Sequence, residues 1–434
     1  MKTLIYSLLF SLSLNLAWAS KSEMRVEKRA QVKLEVAKDV DIEIDGSNTD
    51  MRIDIWDEPR IEIEAVFRYR GEDHQDKIAE FLSQFQEKIE VGISQSPGSV
   101  RIETFRSLPK KVQIGTKDFM IFEMAFSRDE VQLEYHIHMP AKGKVNIKHS
   151  YRDLRIYGDL ENLQLYQYSG RLAMDNIKKA QLTLKYGEAN VRRLKDSEIN
   201  LYENDLIAEE LGDVELNIKY SQLRSRFAKK LDVQAYESEL EFEEVKSLDG
   251  NFKYSRFRSA RLKHGVLVSY ESRYDIQDMI SLRLDNSKYS TYGINRVDEV
   301  RITQAYEDNM TIRSVKSMAA GNSKYCKHRL GSLEEDYSLD GYESDLQIDK
   351  LSGPKGDISI KGKYIKAEIN TADAVFDLIA AMQYGNIDYR RAEASAQISE
   401  EGSRINAKIQ SKARKEGAGY KILVDGYEMK VQLY

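Results

Sequence analysis

Three groups of side chains have types and spacings that could do chemistry. His136 and His138 flank Ile137 in an alternating run, so on a strand both imidazoles point to one side. With a third ligand that pair could hold a metal, and His149 is the only other histidine nearby in sequence. Two solvated strand residues explain it more simply. Carboxylates gather at Glu241, Glu243 and Glu244 around Phe242, and again at Glu334, Glu335 and Asp336. Either cluster is conceivable as a calcium site, but solvated charge is the plainer account. The single cysteine, Cys326, stands where the surrounding pattern puts serine, which marks it as a small turn residue and not a reactive thiol. His74, His264 and His328 have no local partners that suggest a triad or a metal site. A phosphate-cradling glycine loop, a Gly-x-Ser-x-Gly elbow and a His-Glu-x-x-His pair are all missing from the sequence. The chain is therefore read as a non-enzyme with no catalytic, cofactor-binding or metal-binding residues, and its ligand-binding residues are not legible.

What positions these groups is a repeat. With Ser169, Gly187, Asn204, Ser221, Ser238, Ser255, Ser272, Ser290, Asp308, Cys326 and Ser344 as marks, the repeat length is 17 or 18 residues. The two residues before each mark read Gln-Tyr first and then alternate strictly between Lys-Tyr and Tyr-Glu. Units this short cannot bury a core alone and must stack on their neighbours. Apolar residues fall two, four and seven places after the mark, as in Leu206, Ala208 and Leu211, and again just before the dipeptide, as in Leu216 and Ile218. A spacing of two belongs to strands and excludes helical repeats of twice the length. Each unit reads as strand, turn, strand, turn: one coil of a parallel β-solenoid.

The alternation then has a physical purpose. Like charges on adjacent coils would lie about 4.8 Å apart and repel. Interleaving Lys185, Lys219, Lys253, Lys288 and Lys324 with Tyr202, Tyr236, Tyr270, Tyr306 and Tyr342 doubles the separation and brings ammonium groups near ring faces. Glu203, Glu237, Glu271, Glu307 and Glu343 are spaced in the same way by tyrosines of the next column. Stabilisation accounts for this arrangement; the sharper alternative is a ligand-binding aromatic strip.

Around the repeat, residues 1–19 read as a signal peptide, with Lys2, an apolar run from Leu4 to Leu16, and Ala17-Trp18-Ala19 before a mature start at Ser20. Residues 20–148 read as a β-rich N-terminal capping domain with one amphipathic helix over about 73–90, marked by Ile78, Leu82, Phe85 and Ile89. The stretch 106–126, with Phe119, Ile121, Phe122 and Phe126, resists assignment. The solenoid occupies 149–362, and 363–434 reads as a degenerate coil followed by closing strands that cap the last edge. The expected class is all-β apart from the helix. A formal net charge of −5 without a basic stripe argues against nucleic acid, and no later run is apolar enough to span a membrane as a helix. The expected location is extracytoplasmic: periplasm, cell surface or secreted. No cofactor is expected, and the partner is not legible in the sequence, a cell-surface glycan or an envelope protein being the candidates.

The phrase Asn48-Thr49-Asp50-Met51-Arg52-Ile53-Asp54-Ile55-Trp56-Asp57, the lead-in from Tyr135 to Pro140, and coils such as Lys185-Tyr186-Gly187 and Lys219-Tyr220-Ser221-Gln222-Leu223 give the chain a resemblance. It resembles the bacterial adhesin-like β-solenoid domains of the auto-transporter adhesin head type, over most of the mature length. That resemblance implies a right-handed solenoid on the cell surface or in the periplasm and supplies no catalytic residue. The chain departs from the family's commoner Ser-Gly-Asp turn by using Tyr-Ser and Glu-Ser. Adhesin-like binding or an envelope scaffold is the expected role. A periplasmic sensing component and, less favoured, a carbohydrate-active β-helix enzyme are the alternatives.

Overall fold

The computed structural model describes residues 24–71, 75–104, 110–114, 117–121, 131–390, 392–412 and 419–434. The signal-peptide segment, His74, Phe122 and Phe126 lie outside the described residues. The chain divides into two compact units, Met1–Gly158 and Asp159–Tyr434.

In the first unit, Arg60–Gly71 pairs antiparallel with Met24–Glu35 on one side and with Val131–Pro140 on the other. Val131–Pro140 then runs parallel to Asp50–Trp56, which in turn lies parallel to the start of Leu154–Tyr202. A second parallel set stacks Ser99–Glu103, Asp41–Ser47 and Lys144–Ser150. Parallel stacking thus begins inside this unit, on strands whose alternating Ile42, Ile44, Met51 and Ile53 are all buried. The stretch 106–126 contributes an antiparallel hairpin, Lys110–Ile114 with Lys117–Ile121. The single expected helix is two, Gln75–Ser83 and Phe85–Val91, broken at Gln84. Phe81, three residues after Ile78 on the first helix, is buried where Leu82 was expected, and the rings of Phe67, Phe81 and Phe85 meet at 5.0–6.0 Å. Gln86 on the second helix hydrogen-bonds both backbone groups of Gln31, which holds the helix against the strand Met24–Glu35. A covered edge of this kind cannot recruit a stray strand.

The second unit is nearly all strand, and the chain forms a β-solenoid of about 13 turns. Asp205–Lys219, Gln222–Tyr236, Glu239–Lys253, Arg256–Tyr270 and Arg273–Lys288 lie parallel, residue on equivalent residue. The register columns match the period: Leu206, Leu223, Leu240, Phe257, Tyr274, Tyr292, Met310, His328 and Leu346 stack in order. All are buried, as are the columns through Leu211 and Leu216. Pairing skips Glu209 and Gly212, so with the corner at Glu203 a coil has three interruptions, one more than the two-turn reading supposed. Lengthening from 17 to 18 residues occurs at one bulge, between Leu267 and Val268 opposite Leu284 and Asn286. Aromatic residues fill the middle coils, with Phe252, Phe257 and Tyr274 in contact and Tyr274 stacked flat on Tyr292 at 4.8 Å.

The C-terminal order is not the order of the sequence. Lys355–Lys363 stacks on Tyr337–Tyr342, but its other neighbour is Gly419–Tyr427. Phe376–Gln383 lies beyond that strand, followed by the antiparallel hairpin of Arg404–Ser411 and Ala394–Glu401. Likewise Lys430–Leu433 sits between Lys366–Ile369 and Asn386–Asp388. Of the strands expected to close the stack, those carrying Ile405 and Ile409 lie outside. Those carrying Ile422, Val424, Met429, Val431 and Leu433 form an internal coil.

Candidate functional site

Every coil of the second unit turns one tight corner, and the residue there has a positive φ without being glycine. Tyr186, Glu203, Tyr220, Glu237, Tyr254 and Glu271 have φ between 45° and 57°. A side chain in the left-handed region costs on the order of 1–2 kcal/mol, so the corner keeps one only where it is used. Here the tyrosines on alternate coils come from the corner and from the strand position before it. Tyr168, Tyr186, Tyr202, Tyr220 and their successors therefore form one ladder, not two columns. Successive rings meet edge to face at 5.1–5.9 Å and 60–83°, through Tyr364, Tyr427 and Tyr384. One detail of the repeat is corrected. Ser169, not Tyr168, occupies the first corner of this unit, so Gly170 and not Ser169 is the equivalent of Gly187.

The expected Lys–Tyr contacts give way to Tyr–Tyr contacts. Of the interleaved lysines, Lys185 has its ammonium over a ring, that of Tyr166 at 5.8 Å. Among the described residues the other interleaved lysines make no such contact. The corner glutamates accept from the tyrosine beside them. This hydrogen bond from Tyr236 to Glu237 pushes the phenol up to about 12, and Glu271 does the same to Tyr270. The edge-to-face contacts tie each coil to the next and hold the register, while the corner rings of Tyr186, Tyr220, Tyr254, Tyr289, Tyr325 and Tyr364 each stay about two-fifths exposed.

Just inside the corner runs a column of hydroxyls. Each serine Oγ donates to the carbonyl two residues back, as Ser255 does to Lys253 at 2.7 Å, and accepts the N–H of the coil before, as from Ser238 at 3.1 Å. Ser221, Ser238 and Ser272 repeat the scheme. Replacing Ser255 with Ala strands a buried N–H, and we expect a loss of about 1–3 kcal/mol in urea unfolding. An unchanged midpoint would show that the column contributes nothing.

Asp308 and Cys326 stand in this column. Ser290 N–H donates to Asp308 Oδ1 at 2.7 Å, while Oδ2 is buried without a hydrogen-bond partner. Burial pushes the Asp308 carboxyl up to about 6 and the Cys326 thiol to about 12, which makes the thiol inert. His328, inconspicuous in the sequence, is buried in the apolar column, and its Nδ1 lies 2.8 Å from Tyr337 Oη. Only its place two residues after Cys326, an inward position in every other coil, could have signalled this.

Most of the other groups singled out by type have partners of their own. His136 pairs with Glu134 at 2.8 Å and His138 packs on Trp56 at 5.0 Å. His149 is buried, with Nε2 at 2.9 Å from Thr49 O. Glu241 and Glu244 pair with Arg258 and Arg261, and Glu335 with Lys316. Among the described residues no three His, Cys, Asp or Glu side chains converge as a metal site would require.

Two open grooves lie on the outer surface of the middle coils. The larger, about 600 Å³, is lined by Arg224, Arg226, Glu241, Phe242, Arg258 and Asp275, and Glu241 pairs with both Arg224 and Arg258. The smaller, about 450 Å³, is lined by Asn217, Lys219, Gln234, Tyr236, Asn251 and Lys253. It belongs to a longer strip. Asn200, Asn217, Gln234 and Asn251 stack coil on coil, Val268 interrupts, and Asn286, Gln304 and Asn322 continue. A stacked amide column usually bonds to itself. These amides make no hydrogen bond to their column neighbours, and Asn251 Oδ1 is buried without a partner. Beside them Lys219, Lys253 and Lys324 are exposed, and with Lys288 they make no ion pair among the described residues.

A domain of unknown function (DUF3835) matches residues 191–262. No curated protein matches the chain. Among solved structures, a candidate cell adhesion protein of Clostridium sporogenes is 10% identical, with 94% of this chain and 99% of that one covered and a TM-score of 0.21. A candidate adhesin of Parabacteroides distasonis is 12% identical over 67% of this chain and 97% of its own, with a TM-score of 0.24. A candidate lipid binding protein from the same organism is 9% identical over 78% and 96%, with a TM-score of 0.17. These values are too low to carry any property of those proteins to this chain. No helix of the described residues is long and apolar enough to cross a membrane.

Proposed function

We propose that this chain is a non-enzymatic, extracytoplasmic binding or scaffold protein, adhesin-like in presenting a long repeated surface. The amide–lysine strip carries the reading: it repeats one set of polar groups over successive coils, and among the described residues Asn217, Gln234, Lys219 and Lys253 make no side-chain hydrogen bond or ion pair. Catalysis needs unlike groups converging on one reacting atom, whereas a regular row suits an extended partner. The tyrosine ladder and serine column make that surface stiff.

The reading is tested by proteolysis of the protein on intact and lysed cells. We expect digestion on intact cells. Protection until lysis would overturn a surface role and favour a periplasmic scaffold or sensing component. New reducing ends after incubation with a polysaccharide panel would overturn the non-enzymatic reading.

A further inference from the structure

Edge-to-face packing needs rings and not hydroxyls, so a ladder that only held register could be built of phenylalanine. Here every rung is a phenol, from Tyr168 to Tyr384, and successive ring centroids stand 5.1–5.9 Å apart without a gap. The strand-position phenols Tyr202, Tyr236, Tyr270, Tyr306, Tyr342 and Tyr427 each hydrogen-bond the glutamate that follows. Those glutamates all stand at left-handed corners, with φ of 45–53°, where glycine would be unstrained. A carboxylate so placed can take a phenol's proton when the ring loses an electron. We infer that the ladder conducts oxidising equivalents: an electron vacancy made on one ring by a one-electron oxidant, such as a peroxyl radical, passes from ring to ring along the stack and is filled by a reductant at a distant coil. This activity goes beyond the proposed binding role and does not depend on it.

Electrons and protons balance at each step. A peroxyl radical at the exposed Tyr220 ring takes one electron and one proton and leaves as the hydroperoxide, and Tyr220 becomes a neutral tyrosyl radical. Tyr236, 5.5 Å away, gives that ring an electron and passes its own proton to Glu237. Tyr220 regains a proton from water and is a phenol again. In the next step Tyr254 refills Tyr236 across 5.7 Å. Tyr236 takes its proton back from Glu237, while the exposed Tyr254 releases one to water. Electrons thus travel the stack, and each proton moves only between a phenol and its own acceptor. Easier sinks for the vacancy are few. The second unit contains no tryptophan. Cys326, beside Tyr325, donates its buried thiol to the Lys324 carbonyl, which cannot hold a proton, so this thiol gives up an electron poorly.

The test uses the full mature chain carrying Cys326→Ser. A ruthenium polypyridyl dye is attached at Glu188→Cys, an exposed position two residues from Tyr186, and Tyr384→aminotyrosine supplies a terminal electron donor with its own spectrum. At the coil spacing these ends lie on the order of 60 Å apart, beyond any single tunnelling step. Flash oxidation of the dye should produce the aminotyrosyl radical, read by transient absorbance and electron paramagnetic resonance, at a rate independent of protein concentration. The Tyr254→Phe/Tyr270→Phe/Tyr289→Phe variant keeps the rings and removes consecutive donors, and it should abolish the far signal while the unfolding temperature holds. If that variant proves unstable, Tyr270→Phe alone should still slow the signal. Glu237→Gln/Glu271→Gln should slow it by about tenfold, because an amide cannot take the proton. No far signal in the parent, a rate that rises with protein concentration, or a signal unmoved by the phenylalanines would overturn the inference. An unmoved rate in the glutamine variant would overturn the carboxylates' part in it.

Discussion

Ending the chain after Ser411 unravels the last coils of the solenoid and leaves the earlier ones folded. The segment removed is not a tail but the coil between Lys355–Lys363 and Phe376–Gln383. It buries Tyr420, Ile422, Val424, Met429, Val431 and Leu433, each at most 2% exposed. At about 1.5–3 kcal/mol per side chain the loss is on the order of 10 kcal/mol, comparable to the stability of a whole domain. Tyr420 adds specific bonds: its hydroxyl donates to Glu334 O at 2.8 Å and accepts from Gly353 N–H at 3.0 Å. Direct closure of Phe376–Gln383 onto Lys355–Lys363 is no remedy. It would set corner Tyr384 beside corner Tyr364, with no strand-position ring between them, and break the ladder. Because coils contact only their neighbours, the damage stays local. Hydrogen exchange should show protection lost from about 355 to 411 and kept up to about Tyr342. A truncated protein that still protects Phe376–Gln383 would refute the inserted order.

Replacing Asp308 with Ser should stabilise the protein, and more so as the pH rises from 4 to 7. The carboxyl is 3% exposed, and burial raises it to about 6 against the opposing pull of the Ser287 hydroxyl and the Ser290 N–H. An aspartate in the unfolded chain ionises near 3.9. Between those values the unfolded state releases a proton that the folded state keeps, so native stability falls as pH rises through this window. Above about 7 the penalty is complete and on the order of 3 kcal/mol. Serine is the residue at most other marks of the column and restores the two-way hydroxyl scheme. The buried groups nearest in kind are Tyr292, which feels the Asp308 charge, and Cys326, and both stay neutral across this range. His328 works in the opposite sense: burial lowers it to about 4, so its contribution is lost as pH falls below about 6.5. Comparing variant with parent cancels that term. Urea midpoints at pH 4, 5.5 and 7.5 provide the check, and a gap that does not widen with pH would refute a buried, destabilising carboxylate.

The sequence alone determined the coil: its length, its inward columns and its tight corner. Each of these depends on contacts between residues 17 or 18 apart, so period and polarity specify them directly. Leu206, Leu223 and Leu240 could be stacked on paper because nothing but the next coil decides their place. The tertiary structure decided three things that period cannot carry. It merged two apparent tyrosine columns into one ladder, because the positive φ at every corner redirects the side chain there, and a corner tyrosine meets the strand-position tyrosines of the coils on either side. It put Asp308 and His328 in the dry interior, where an ordinary titrating residue becomes a perturbed one. It also placed Tyr427-Glu428 between Lys363-Tyr364 and Gln383-Tyr384, a pairing across more than one coil of intervening chain. The sequence did hold a trace of that last arrangement. Read in order, two corner tyrosines, Tyr364 and Tyr384, follow one another and break the alternation. In space the alternation is intact, because ring packing responds to which coils touch and not to which come next.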